Sequence, residues 1–291
     1  MDGVITHHEV TPGVESGHAT LTLTGEDLTA VMNWIDFTGI PYPAMPPEAR
    51  VALICAKYAF LGIIPIVIPS ILIDVPIPIM EIPRHQGKDY EYIKALADRV
   101  GYDFYLEPGP TPGMSIAYWG PQIKIGEPQP ALTMNMDAHN NVESLSFRFD
   151  LEKKVLPVLM IQEPTSKAPI PIPIPDITPL NPPLGVIPLI PKKLEFITQT
   201  ANLNPLQAAI IGLTKAAKSS DAVFGSGSLD VLRYGRLLKA RKLVGVRAAG
   251  MAFDGLYYVT KVKHQIKRGE YKQSFELARN SLVSITSTVP V

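Results

Sequence analysis

The residues able to do chemistry are few, and their spacing keeps them apart. Six histidines and one cysteine are the strongest metal ligands and nucleophiles in 291 residues. His7 and His8 are adjacent in a stretch that alternates like a strand. They therefore face opposite sides and cannot both ligate one metal ion. Each reads as a surface or barrel-lining residue. His139 stands near Asp137 in a polar turn, where a solvated loop accounts for both. His264 alternates with Thr260 and Val262 and reads as a packed strand histidine. A single cysteine, Cys55, excludes an internal disulfide framework and a four-cysteine zinc site. It lies in an apolar run and reads as a small buried filler. Carboxylate neighbours such as Glu26 and Asp27 are too common to mark an acid–base pair. There is no His-Glu-x-x-His, no Gly-x-Ser-x-Gly and no supported Cys–His arrangement. Gly225-Ser226-Gly227-Ser228 lacks the Lys-Ser/Thr of a phosphate loop and reads as a flexible joint. The sequence thus predicts no catalytic, cofactor-binding or metal residue, no cofactor, and no enzyme.

Charge narrows the partners. Twenty-seven basic and 27 acidic residues give a net charge of +0, so no global field favours nucleic acid or acidic membranes. The one asymmetry is a basic run: Arg233, Arg236, Lys239, Arg241, Lys242, Arg247, Lys261, Lys263, Lys267, Arg268 and Lys272. A solvated strand face is its plain reading. An acidic partner surface, or a lumen through which DNA passes, is the functional one. Tyr257, Tyr258 and Tyr271 sit at strand positions within it and need not stack bases.

A hydrophobic content of 46% is ample for real cores. The length allows one large domain or two to three small ones. The 29 prolines are about twice the usual share of roughly 5% and argue against a mainly helical chain. Val51 to Ile73 carries only Lys57 as a charge and is long enough to span a membrane. Pro65 and Pro69 interrupt it and no basic cluster marks an inside end, so a buried helix followed by extended chain is predicted. Met1-Asp2-Gly3 runs straight into strand-like residues, and no signal peptide is expected.

The clearest unit is Gly87 to Trp119. Tyr92, Ile93, Leu96, Ala97 and Val100 repeat at helical spacing, with Asp89 or Gly87 placed to cap the start and Gly101 to end it. Tyr102, Phe104 and Leu106 then alternate with Asp103, Tyr105 and Glu107. A Pro-Gly turn leads to a second strand at Met114 to Trp119. Before this unit, residues 4–10 and His18 to Gly25 form an antiparallel hairpin, and Glu26-Asp27-Leu28 starts a helical segment. Pro46-Pro47-Glu48 opens a helix over Ala49 to Gly62, and Ile63 to Ile82 is edge strand or connector. After it, Ala131 to Met134 and Val142 to Phe149 are strands. Ile-Pro alternation in 164–191 favours polyproline II lying on a protein surface. Leu194 to Thr200 and Pro205 to Ser219 are helical candidates. Leu243 to Val246, Leu256 to Ile266 and Tyr271 to Leu277 are strands with hairpin turns at Asp254-Gly255 and Arg268-Gly269.

Asp89, Tyr90, Tyr92, Ile93, Leu96, Ala97, Gly101, Tyr102, Phe104, Tyr105 and Glu107 together resemble the helix, glycine stop and aromatic strand of phage late control protein D and the related VgrG spike proteins. This match covers about a tenth of the chain. A second lies in Gly3-x-Ile5-Thr6-x-x-Glu9-Val10 and Leu21-Thr22-Leu23-Thr24-Gly25-x-Asp27-Leu28, which look like the end of the first barrel of the same hub family. A third is Tyr257-x-Val259-x-x-Val262-x-His264-x-Ile266, then Gly269-x-Tyr271-x-x-x-Phe275-x-Leu277-x-Arg279, similar to the closing strands of the second barrel. Leu145-Ser146-Phe147 resembles the strand that opens it.

The resemblance implies a β-dominated α+β fold with hub-type β-barrel domains and a helix–hairpin domain between them. Residues 1–30 are the incomplete end of the first barrel and 31–120 the helix–hairpin domain. Residues 121–163 and 225–285 make the second barrel, and 164–224 are a proline-rich and helical insertion. Family members have several strands before the first hairpin. Here another polypeptide supplies them, the barrel is reduced, or the sequence begins late. Residues 1–30 are expected to complete a barrel with another chain, since two strands alone are marginal and leave open edges. The sequence leaves no room for the OB-fold and β-helical spike that VgrG proteins append, so the spike is expected to be a separate protein.

The implied function is the central hub of a contractile phage tail baseplate, or of a related injection system. Three copies would form a ring joining the six-fold tail tube to the three-fold spike. The implied partners are itself as a homotrimer, the tail tube protein, the spike protein and other baseplate proteins. DNA enters only as cargo through the lumen, no stable membrane insertion is expected, and the location is the virion tail baseplate after assembly in the host cytoplasm. The rival readings are a host-surface binding or adaptor module of the tail tip, a cell-wall hydrolase, and a membrane protein resting on 51–73.

Overall fold

A computed structural model of the chain describes residues 2–13, 19–70, 82–136, 139–152, 154–162, 169–174, 182–188, 193–197, 212, 216 and 219–284. Contacts divide the chain into two compact units, Met1–Pro121 and Gln122–Val291.

The first unit opens with a two-stranded antiparallel hairpin, β1 (Gly3–Thr11) and β2 (Thr20–Asp27). The Asp27 side chain accepts the Thr29 N–H and caps a 3-10 turn over Leu28–Asn33. Helix α1 (Pro47–Lys57) carries proline in its first turn, where a missing N–H costs nothing. It stops short of the predicted Gly62. Ala59–Leu61 tighten into a 3-10 turn and Gly62 takes a left-handed φ of 76°. A Cβ there would also lie 2.0 Å from the Gly113 carbonyl oxygen, so only glycine fits. Strand β3 (Ile63–Val67), helix α2 (Asp89–Val100), β4 (Tyr102–Pro108) and β5 (Ser115–Pro121) follow.

The helix, strand, turn and strand read from Gly87 to Trp119 are all present. The α2 cap differs from expectation. Lys88 is the N-cap, its N–H meeting the Glu91 carboxylate at 3.5 Å, while Asp89 is drawn into the interior. Gly101 ends α2 with φ 74° and donates to the Ala97 carbonyl. The sheet order is β3-β5-β4, with β3 parallel to β5 on an edge. The Ser115 N–H donates to the Gly62 carbonyl and the Ile68 N–H to the Trp119 carbonyl. Even-numbered residues therefore face β5, and Pro65 turns its absent donor outward. Ile54, Ile93, Leu96, Phe104, Ala117 and Trp119 form the core of this unit. The apolar run from Val51 is a core helix followed by an edge strand. No described helix is long and apolar enough to cross a membrane.

The second unit contains β6 (Gln129–Thr133), β7 (Ser144–Phe149), β8 (Val155–Gln162), β9 (Pro169–Pro173), β10 (Gly185–Pro188), β11 (Lys193–Ile197), β12 (Val223–Asp230), the single turn α3 (Val231–Tyr234), β13 (Leu243–Arg247), β14 (Gly255–Lys267), β15 (Glu270–Arg279) and β16 (Ser281–Ser284). Its main sheet has the order β6-β13-β14-β15-β12-β7, and its pairs are antiparallel except β6 with β13. Strands β6 and β7 stand at its two ends, unpaired with each other among the described residues. Val223, Leu229, Val244, Tyr257, Phe275 and Leu277 make its core. The chain is β-dominated α+β, with its helix–hairpin part in the first unit.

Three local expectations are corrected here. Gly225 to Ser228 is no flexible joint but the middle of β12, paired on both sides. A Cβ on Gly225 would lie 3.0 Å from the Phe147 ring, and one on Gly227 would lie 2.7 Å from the Phe275 ring and 2.3 Å from the Ser144 carbonyl oxygen. The glycines are there to let two rings lie against the strand. Within 164–191, the described segments 169–173 and 185–188 are paired strands instead of polyproline II. The Ile174 N–H donates to the Pro157 carbonyl, so even residues face β8 and Pro169, Pro171 and Pro173 point their missing donors away from it. Alternating prolines thus make β9 an edge strand, as the order β11-β8-β9 requires. Leu194 to Ile197, predicted as the start of a helix over Leu194 to Thr200, lies in β11, a strand parallel to β8, where pairing overrides local propensity. The helix proposed for 205–219 falls largely outside the described residues, though Gly212 and Ala216 are helical.

Candidate interaction site

The histidines do not converge. His7 pairs with Thr24 and His8 with Leu23, on opposite faces of β1, and both are exposed. Asp137 lies outside the described residues, and the His139 carbonyl accepts the Thr133 hydroxyl. His264, expected to be packed, is exposed, with its Nδ1 2.8 Å from the Tyr271 hydroxyl. Cys55 is fully buried, and burial pushes its thiol up to about 12, which keeps it protonated and inert. Glu26 is exposed on β2 while Asp27 caps the following turn. Among the described residues no group of three or more His, Cys, Asp or Glu side chains could hold a metal ion.

One polar cluster escaped the sequence reading. Asp89 is fully buried and accepts the Tyr58 hydroxyl at 2.6 Å and the Lys57 ammonium at 2.7 Å. His85 Nε2 lies 3.4 Å from the same carboxylate, and His85 Nδ1 meets the Tyr42 hydroxyl at 2.9 Å. Arg50 donates to the Tyr92 hydroxyl at 2.8 Å. Burial lowers the His85 pKa, and burial with the Asp89 carboxylate raises that of Tyr58. His85 is therefore neutral at pH 7. The cluster ties α1 to α2 and to the chain before α2. Its partners lie 31 and 43 residues apart, which no local pattern reveals.

The basic run spreads over β13, β14, β15 and the loop before them. Lys261 lies 3.5 Å from Glu276, and Lys272 lies 2.8 Å from Glu143 and 3.1 Å from Glu270, which hold its pKa above the usual lysine value. Exposed pairs of this kind contribute little to stability. Across the outward face run rows of facing side chains: Ser146, Ser226, Glu276 and Lys261, then Ser144, Ser228, Ser274 and Lys263. They line an open groove of about 500 Å³. Its serines bond one another, Ser144 to Ser228 at 2.9 Å and Ser146 to Ser226 at 3.0 Å. Arg279 is a clamp: buried beneath Tyr257, it donates to the Asp254 and Ala252 carbonyls and fixes the turn before β14.

A second exposed surface is apolar. On the β1–β2 hairpin the register places Ile5, His8, Val10, Leu21 and Leu23 on one face, and Thr20, Thr22, Thr24, Glu26, His7 and Glu9 on the other. Ile5 is 66% exposed, Val10 60%, Leu21 58% and Leu23 54%. Four large apolar side chains thus stand exposed on one face of a two-stranded ribbon, where monomeric surfaces seldom gather them.

Neither a protein-family model nor a curated protein sequence matches the chain. Solved structures do. The tail protein from Neisseria meningitidis MC58 superposes with a TM-score of 0.63 at 15% identity, over 96% of this chain and 79% of that one. The 43 kDa tail protein of a Shewanella oneidensis prophage gives 0.59 at 12% identity, over 94% and 76%. A chain of the Francisella PdpA–VgrG complex gives 0.56 at 8% identity, over 99% of this chain and 46% of that one. The chain has the fold shared by these two tail proteins and the chain of the PdpA–VgrG complex, the fold that the motifs around Asp89, Leu21 and Tyr257 resemble.

Proposed function

We propose that the chain is a structural hub of a phage tail baseplate or of a related injection system. Three copies form a ring that adapts a six-fold tail tube to a three-fold spike, and tail tube, spike and other baseplate proteins are its partners. Its place is the virion tail, and DNA passes it only as cargo. It has no catalytic role. The observation that carries this reading is the likeness in fold to two tail proteins, one of them from a prophage, over more than nine-tenths of the chain. The exposed apolar face of the β1–β2 hairpin supports it, because an isolated ribbon with that face in water asks for an assembly partner. Particles of the purified protein imaged by electron microscopy should be rings with three-fold symmetry that bind a tail tube protein on one side. Single particles of one copy that bind host-surface glycans instead would support the adaptor reading, with the exposed Trp34 and Phe60 as its aromatic contacts.

A further inference from the structure

We propose that β2 of one copy adds edge-on to the free edge of β14 in a second copy, extending that copy's main sheet by the β1–β2 hairpin. The inference rests on the self-assembly reading above and names the surfaces that carry it.

Charge segregation comes first. Asp2, Glu9, Glu15, Glu26, Asp27, Asp36 and Glu48 all precede Arg50, the first Arg or Lys of the sequence. The hairpin strands thus carry Glu9, Glu26 and Asp27 against no Arg or Lys, with His7 and His8 as their only titratable bases, while the basic run sits in the second unit. Two separate fields of opposite sign on one chain favour head-to-tail contact and disfavour like against like.

Strand geometry says where the contact falls. Strand β13 covers β14 only from Gly255 to Tyr258, and the Val259 N–H and carbonyl are taken by Lys242 and Arg241. Beyond that point, β14 is paired with β15 alone, from Lys261 to Lys267. Alternate backbone donors and acceptors over these seven residues face outward with no strand beside them among the described residues. On the hairpin, β2 is the regular edge, because the register shift between Ile5 and His7 lies in β1. It has eight residues and no proline. By contrast, the outer edges of β3 and β9 are proline-blocked at Pro65, Pro169, Pro171 and Pro173.

The two edges match face by face. On β14, Lys261, Lys263, Gln265 and Lys267 project on one face and Val262, His264 and Ile266 on the other. Ile266 is 70% exposed, an apolar side chain continuing the line of Val262 past the end of the core. On the hairpin, Glu9 and Glu26 share a face with the threonines, and Leu21 and Leu23 occupy the other. Edge pairing sets Glu26 of β2 beside the lysines on one face, with Glu9 one strand further out, and leucines beside Ile266 on the other. A lysine-rich edge repels a second lysine-rich edge, so β14 is protected from pairing with itself and open to an acidic strand. The contact is heterologous: two different patches meet, and a ring forms if the rotation closes.

Charge exchange tests it. The variants Glu9→Lys/Glu26→Lys and Lys263→Glu/Lys267→Glu alter only exposed side chains, and circular dichroism checks that each keeps its fold. Each should raise the dissociation constant of self-assembly by about 100-fold or more, because like charges then meet at the edge. All four changes in one chain should bring it back to within about tenfold of the wild type. Hydrogen exchange on the assembled wild type should slow at residues 20–27 and 261–267 together, the mark of backbone pairing. An assembly unmoved by either double variant, or unrescued by the combination, overturns the edge contact and leaves the hub reading standing. A wild-type chain that stays single at all concentrations overturns both.

Discussion

Two hairpins of this chain carry the same sequence signature and meet different fates. Both β1–β2 and β14–β15 alternate apolar and polar residues about a glycine-containing turn. The base of β14–β15 is buried: Val259, Phe275 and Leu277 lie in the core of the second unit, with β12 and β13 on its flanks. In β1–β2, Ile5, Val10, Leu21 and Leu23 are all more than half exposed, and no third strand pairs with it among the described residues. Alternation fixes which side of a ribbon is apolar and leaves open what covers it. In one hairpin the chain supplies the cover. In the other, on the reading above, a second copy meets its edge and sets Ile266 beside its leucines.

That contrast predicts large intrinsic effects where the chain packs on itself and small ones on the exposed ribbon. The largest is at Asp89. Asp89→Ala strands Lys57, Tyr58 and His85 around an empty site and should cost the first unit about 3 kcal/mol, the range for breaking one partner of a buried pair. Both tryptophans, Trp34 and Trp119, are in that unit, so denaturant unfolding followed by fluorescence reads it directly. An unchanged midpoint would remove the cluster from the account of stability. Next is Gly227→Val. Its side chain meets the Phe275 ring and the Ser144 carbonyl oxygen, and overpacking of this kind should cost about 2 kcal/mol. Amide exchange in β12 should quicken accordingly, and a strand as protected as in the wild type would mean the glycines are not required by the rings.

A smaller effect is set by pH. Burial holds the His85 pKa below its ordinary value of 6.5, so the unfolded chain takes up this proton first as pH falls. The contribution of neutral His85 is complete above 6.5 and declines as pH drops below it. The first unit should lose stability on acidification through that range, and His85→Phe should flatten the slope. An equal slope in both proteins would assign the acid sensitivity to other groups.

Legibility in the sequence followed how local the cause was. The α2–β4–β5 unit was readable because period 3.6 gives way to period 2 at Gly101, within one segment. That His7 and His8 point to opposite faces was readable from strand parity, which is a local property of β1. Gly225 to Ser228 was misread because linker composition and ring-packing composition look alike, and only Phe147 and Phe275, distant in sequence, distinguish them. Leu194 to Ile197 was misread for the same reason, its partner β8 lying far upstream. The Asp89 cluster was invisible because a residue that opens a helix reads as its cap until Lys57, Tyr58 and His85 are placed around it.

The most direct test of the hub account is native mass spectrometry of the wild type beside Leu21→Ser/Leu23→Ser. Because both leucines are exposed, the monomer's own stability should change by less than about 0.5 kcal/mol. The account predicts a wild-type assembly of three times 31.8 kDa and a variant that remains a folded single chain. A single chain in both samples, or the same assembly in both, would contradict it.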